Sequence, residues 1–307
     1  MRIVFMGTPE FAVPSLDRLF QAGYEIAAVV TVPDKPAGRG KKLRPSAVKA
    51  YALEKELPLL QPVKLRDPAF IEALQATQAD VFVVVAFRML PKVVWDIPGS
   101  GTFNLHSSLL PDYRGAAPIN WVVINGETQS GVTTFLIDEQ IDTGNLLLQE
   151  AVEVPQDWTA GQLHDLLMEK GADLVLATVQ GLEENRLSPR PQDDELSQHK
   201  APKIFKEDCE IDWNQSAASR YNLIRGLSPY PTAWTKLGED SMKVFLAARA
   251  TLAAKPPAGS CLIEDGRWYV ACADGWIELL EIQLAGKKRM KVADFLRGYK
   301  EEILFLG

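Results

Sequence analysis

At 307 residues, with 47% hydrophobic and 24% charged residues, the chain can bury a sizeable core and is comfortable for two domains. The longest uninterrupted apolar run, residues 81–87, is far short of a membrane span, and the start MRIVFMGTPE is not read as a signal peptide, so a cytoplasmic protein is expected. Three widely spaced cysteines fit neither a disulfide framework nor a zinc site, and a net charge of −7 argues against indiscriminate nucleic-acid binding.

In chain order, the first half alternates strands and helices. Apolar runs at 2–6, 25–32, 81–87, 102–106 and 132–137 read as strands covered on both faces. Helical segments at 10–22, 47–56, 68–77 and 118–125 lie between them. The first is expected to start on a Thr8 N-cap with Pro9 in its first turn. A long helical stretch, 160–184, closes this half. The pattern predicts an α/β domain over 1–189 with a doubly wound, mostly parallel sheet. Residues 190–206 are polar and proline-containing and read as a linker. Over 207–307 a helix near 216–227 and short strands near 243–248, 260–264, 268–272 and 276–283 suggest a small β-barrel.

The stretch FNLHSSLLPDYRGAAP, residues 103–118, carries the first candidate chemistry. In an open parallel sheet, ligands bind beyond the carboxyl ends of the strands, where His106 would stand. Strand alternation points Asn104 and His106 to one face and Leu105 to the other. An amide donor beside an imidazole suits acyl transfer, in which an oxyanion needs donors and an attacking amine must lose a proton. His164, within a helix, and His199, in the polar stretch, are read as structural. A carboxylate to orient His106 is sought in IDEQIDTGNLL, residues 137–147. Asp142 and Asp138 both qualify, and spacing does not choose between them.

Residues 33–49, PDKPAGRGKKLRPSAVK, set six basic residues (Lys35, Arg39, Lys41, Lys42, Arg44, Lys49) against the single acid Asp34. A solvated loop is the plain reading. Phosphate contacts supplying salt-dependent affinity are the functional one. A second basic run, GKKRMK, holds Lys287, Lys288, Arg289 and Lys291. Residues 7–14 lack the glycine pattern of a dinucleotide site; no P-loop, HExxH or metal-ligand cluster is found either.

Together, Asn104-Leu105-His106, the segment Ser108-Leu109-Leu110-Pro111-Asp112-Tyr113-Arg114-Gly115 and Asp142-Thr143-Gly144 resemble the formyl-tetrahydrofolate-dependent transferases. MGTPEFAVPSL, PDKPAGRGKKLRPSAVK, the IDW of 211–213 and AGKKRMK resemble the branch of that family acting on methionyl-tRNA. The resemblance implies a Rossmann-like domain followed by a barrel of the OB type. It implies Asn104, His106 and Asp142 as catalytic, and Ser108, Leu109, Leu110 and Pro111 as folate-lining. Phe87, Arg88, Met89 and Leu90 would complete the pterin pocket, although the loop 86–91 looks one residue shorter than the AYGLILP-like loop usual there. The donor would be 10-formyltetrahydrofolate, with no metal. The partner would be methionyl-initiator-tRNA, gripped by Arg39, Lys41, Lys42 and Arg44 and, on the barrel, by Lys287, Lys288 and Arg289. A monomer without an obligatory protein partner is expected. The competing readings are a transferase for a small amine, such as a ribonucleotide or amino sugar, and a non-catalytic tRNA-binding relative.

Overall fold

A computed structural model describes residues 1–37, 42–254, 256–299 and 304–307. The chain divides into two compact units, each assembled from more than one stretch. The first comprises Met1–Gly115, Ser130–Val152 and His164–Lys200; the second comprises Ala116–Gln129, Glu153–Leu163 and Ala201–Gly307.

The first unit is built on a seven-stranded sheet. Its strands are β1 (Arg2–Gly7), β2 (Glu25–Val30), β3 (Leu59–Leu60), β4 (Val81–Val85), β5 (Thr102–His106), β6 (Gln129–Leu136) and β7 (Leu146–Glu153), in the order β7-β6-β5-β4-β1-β2-β3. The pairs β1–β2, β1–β4, β2–β3 and β4–β5 are parallel, and β6 runs antiparallel to β5. Every residue of β4 is buried, as a central strand with helices on both faces requires. The short strand β3 and the edge strand β7 are absent from the sequence reading.

Helices α1 (Val13–Gln21), α2 (Ala47–Glu54), α3 (Pro68–Ala76) and α4 (Lys92–Trp95) occupy the connections of this unit; α5 (Pro118–Ile124) falls in the second unit, and α6 (Ala160–Glu183) belongs to the first from His164 onward. Ser46 caps α2 and Asp67 caps α3, each accepting from a backbone N–H of the first turn. The expected start at Thr8 is not what forms. A 3-10 turn, Glu10–Ala12, comes first, and α1 begins after it with Pro14 in its first turn and no side-chain cap. A proline lacks the N–H of a helix interior, so Pro14 resets the start. The Thr8 hydroxyl is buried without a hydrogen-bond partner.

Helix α6 fixes which face of β5 is free. Gly171 comes so close to Leu105 that an added Cβ would lie 2.6 Å from its Cδ2. Thr178 of α6 hydrogen-bonds Thr134 of β6 at 2.8 Å, and Thr134 is the register partner of Leu105. Leu105 therefore points toward α6, and Asn104 and His106 point away from it.

The second unit carries α7 (Ala217–Gly226) and strands β8 (Ala233–Leu237), β9 (Asp240–Ala250), β10 (Cys261–Glu264), β11 (Arg267–Ala271), β12 (Trp276–Leu284) and β13 (Met290–Lys291), with α8 (Val292–Gly298) after them. The ladder runs β8-β9-β12-β11-β10, with β13 also on β12, and these pairs are antiparallel. Its two ends, β8 and β10, are joined by the last residues rather than by each other. Cys261 N–H donates to Leu304 O at 2.9 Å, and Leu306 N–H donates to Gly259 O at 2.9 Å. Gly307 N–H reaches Lys236 O of β8 at 3.2 Å. The tail thus spans the gap between the two ends of the antiparallel sheet, an arrangement consistent with the expected small barrel. Its core holds Trp213, Met242, Val244, Trp268, Ile277 and Ile282. Among the described residues, no helix is long and apolar enough to cross a membrane.

Candidate active site

Beyond the carboxyl end of β5, the chain turns through the segment that the sequence singled out. His106 is 6% exposed, and its Nε2 lies 2.9 Å from the Tyr113 carbonyl. A carbonyl can only accept, so Nε2 carries the proton and Nδ1 is the nitrogen left for chemistry. Nδ1 faces Asp142 Oδ2 at 3.8 Å. That is too long for a direct hydrogen bond and right for a charge pair or a bridging water. Asp142 is itself fixed by the Gly115 N–H, which donates to Oδ2 at 3.0 Å.

The two rival carboxylates separate clearly. Asp138 turns into its own loop, accepting from Gln140 N–H at 3.0 Å and from the Thr143 hydroxyl at 2.9 Å. Asp142 adopts φ +58°, in the left-handed region that Asp tolerates better than most residues, and presents its side chain to His106. Gln192 holds this turn by donating to the carbonyls of Asp142 and Gly144 at 2.9 and 2.8 Å. Arg114 holds Gln192 in turn, with two N–H groups on its Oε1 at 3.0 and 2.6 Å. Gly144 is required by space: an added Cβ would sit 1.7 Å from Leu136 O.

Asn104 is half-buried beside this pair, and its Oδ1 is buried without a partner. An orphaned amide oxygen is costly in a folded protein unless a ligand donates to it. Asn104, His106 and Asp142 are all brought to the rim of one sheet.

The segment 108–111 forms a wall tied down from beneath. Thr133 donates its hydroxyl to Ser108 O at 2.6 Å and accepts from Leu110 N–H at 3.2 Å; Gln149 donates to Leu110 O at 2.9 Å. Ser108, Leu110 and Pro111 are buried, and Leu109 lies over Gly131. In the loop 86–91, Ala86 takes φ +47°, Phe87 packs on the core beside β4, and Leu90 is buried in that core. Met89 stands exposed. Arg88 lies over the Phe87 ring at 5.2 Å and donates to the carbonyls of Pro62 and Val63 at 2.9 and 3.1 Å, leaving its Nε buried and unpartnered. Burial lowers its pKa.

Sequence reasoning missed the Tyr113 carbonyl, the Gly115 N–H, Thr133 and Gln192. Gln192 has no local signal at all, since it reaches the site from a polar stretch that reads as a linker. His199, read as structural, stacks on Tyr113 with ring centroids 5.1 Å apart and lies 3.2 Å from Asp112 Oδ2. Among the described residues, no cluster of His, Cys, Asp and Glu could hold a metal.

Of the basic residues, Arg39 and Lys41 lie outside the described residues. Strand Lys42–Arg44 pairs with Lys35–Ala37, and Arg44 is exposed. In the second unit Lys287 and Lys288 are exposed, whereas Arg289 pairs with Glu281 and lies over Phe245 at 4.3 Å.

The formyl transferase family matches residues 1–179, and the formyl transferase C-terminal domain matches 203–300. A protein of Bacteroides thetaiotaomicron named methionyl-tRNA formyltransferase is 51% identical over 312 residues, covering 98% of this chain and 96% of its own. One of the same name from Flavobacterium johnsoniae is 50% identical over 302 residues, covering 97% and 96%. The fold is shared with HypX from Aquifex aeolicus in complex with tetrahydrofolic acid, at TM-score 0.67 and 18% identity, over all of this chain and half of that one. It is shared also with an N-formyltransferase from Helicobacter canadensis in complex with folinic acid and dTDP-3-aminofucose, at TM-score 0.67 and 19% identity, over 94% and 99%. A catalytic-domain match, a C-terminal-domain match and half-identical relatives along nearly the whole length agree: the chain belongs to the formyl transferase family.

Proposed function

We propose that the chain transfers the formyl group of 10-formyltetrahydrofolate to the α-amino group of methionyl-initiator-tRNA, in the cytoplasm. The observation that carries this reading is the identity of about half the residues, through both domains, to proteins named methionyl-tRNA formyltransferase.

In the reaction, the amine nitrogen forms a bond to the formyl carbon while the carbonyl π pair moves onto oxygen. Asn104 donates its amide N–H to that oxyanion, and its buried Oδ1 accepts from the attacking amine. Nδ1 of His106 exchanges a proton with the reacting centre, because Nε2–H is committed to Tyr113 O. Asp142, 3.8 Å from Nδ1, offsets the charge that His106 then carries. Collapse breaks the bond from carbon to the folate nitrogen, which leaves with the proton taken from the amine. Atoms and charge balance without a metal. Ser108 to Pro111 and the loop from Phe87 to Leu90 bound the folate side; Arg39, Lys41, Lys42, Arg44, Lys287 and Lys288 are assigned to the tRNA, whereas Arg289, also implied by the resemblance, is committed to Glu281 and Phe245.

Purified protein given labelled 10-formyltetrahydrofolate and methionyl-initiator-tRNA should yield formyl-methionyl-tRNA. Transfer to a free amino sugar or ribonucleotide and none to the tRNA would overturn the reading.

A further inference from the structure

The run 33–49 holds one acid, and the structure shows where it goes. Lys49 Nζ lies 2.8 Å from both carboxylate oxygens of Asp34, and both side chains are largely sheltered, at 17% and 27% exposure. Gln61, just past β3, donates one amide to Val32 O at 2.8 Å and to Asp34 Oδ1 at 3.1 Å. The hydroxyls of Thr31 and Ser46 meet at 2.8 Å, and Ser46 also caps α2 at Lys49 N–H. The Gln61 segment is a fixed post, because Arg88 holds the next two carbonyls. Both ends of the segment bearing the basic ribbon, Lys35–Ala37 with Lys42–Arg44, are therefore fastened to the mouth of the sheet at β2, β3 and α2.

The pairing alters the accounting of charge. Lys49 spends its ammonium on Asp34, so it is withdrawn from the set of cations available to a phosphate. Hydrogen bonds from Lys49 first and Gln61 second hold the Asp34 carboxyl below its ordinary pKa. A carboxylate at the foot of an RNA-facing ribbon would only repel phosphate if it had no other task.

We propose that Asp34, Lys49 and Gln61 are positioning residues for the acceptor tRNA, acting by fixing the direction in which the basic ribbon leaves the sheet. The proposal rests on the function stated above. It makes an opposite-sign prediction from simple electrostatics: removing the negative charge of Asp34 weakens tRNA binding instead of tightening it.

The test measures steady-state formyl transfer and equilibrium binding of initiator tRNA across a salt series, for the wild type, Asp34→Asn, Lys49→Met and the exchange Asp34→Lys with Lys49→Asp. Both single variants should raise KM and Kd for tRNA by roughly tenfold, the scale of a sheltered charge-assisted pair. kcat and KM for the folate should stay within about twofold, which also shows that the variants are folded. The salt slope of Lys49→Met should equal that of the wild type, because Lys49 neutralises no phosphate. The exchange should recover most of the loss. Tighter or unchanged binding by Asp34→Asn overturns the proposal, as does a salt slope reduced by about one in Lys49→Met. A wild type that transfers formyl to no tRNA overturns the underlying function instead, and so the two failures are told apart.

Discussion

Two carboxylates four residues apart pose the problem that residue types alone cannot solve. Asn104 and His106 are legible in the sequence because a strand's period of two puts them on one face, and because their strand end is where open sheets bind ligands. Choosing between Asp138 and Asp142 needs the turn itself. Asp138 is consumed by Gln140 N–H and the Thr143 hydroxyl, while Asp142 is swung by its positive φ toward His106. Asp142→Asn should therefore lower kcat by about 10² to 10³, a loss similar to that expected of Asn104→Ala or His106→Ala. Asp138→Asn keeps an acceptor for the loop and should stay within about tenfold of wild type. Single-turnover formyl transfer, which isolates the chemical step, checks both. Equal losses at 138 and 142 would mean that the carboxylate at His106 is not what matters. The resemblance named Asp142; the structure supplies the physical reason for preferring it.

Elements are legible where one force dominates. The buried strands β1, β4 and β5 announce themselves as apolar runs, and Ser46 and Asp67 cap helices as their types suggest. Two-residue β3 is too short to carry a period. Edge strand β7 follows the turn at Asp142-Thr143-Gly144, but its sequence LLLQEAVE has no regular apolar–polar alternation to announce it. The turn between β6 and β7 is the element on which the candidate site most depends, and its tolerance is set by Gly144. A methyl there would meet Leu136 O at 1.7 Å, a backbone atom that cannot rotate aside, so the turn must open to admit it. Gly144→Ala should cost about 1–3 kcal/mol of stability. It should also lower kcat, because the opened turn drags Asp142 and its Gln192 anchor with it. Chemical denaturation paired with steady-state assay tests this: a stability loss with kcat intact would separate the turn from the chemistry. Gln192→Ala, which removes the two hydrogen bonds to the Asp142 and Gly144 carbonyls and adds no clash, should lower kcat with a smaller loss of stability.

At the scale of the whole chain, composition and strand spacing carry the division into an α/β half and a β-rich half, but neither shows that each unit draws on separated stretches of sequence. The polar stretch 190–200 illustrates why. Its hydrogen bonds run to partners distant in sequence, as where Arg190 and Leu146 exchange both backbone bonds and His199 O accepts from Tyr113 N–H. No local pattern encodes such a pairing. Charge is subject to the same limit, since sequence counts cations and only structure shows which are already committed. Lys287 and Lys288 stand exposed, whereas Arg289 beside them is spent on Glu281 and Phe245. If this face meets tRNA, Lys287→Ala and Lys288→Ala should each reduce the slope of log affinity against log salt by about one, with unfolding unchanged. Arg289→Ala should leave that slope nearly intact and destabilise the second unit slightly, because what it loses is an ion pair and ring contact within the protein. Filter binding of initiator tRNA over a salt series, alongside thermal unfolding of each variant, distinguishes the two behaviours. A slope lowered by Arg289→Ala as much as by either lysine would show that the arginine leaves Glu281 to meet a phosphate, and that its pairing in the free protein is a resting arrangement broken on binding.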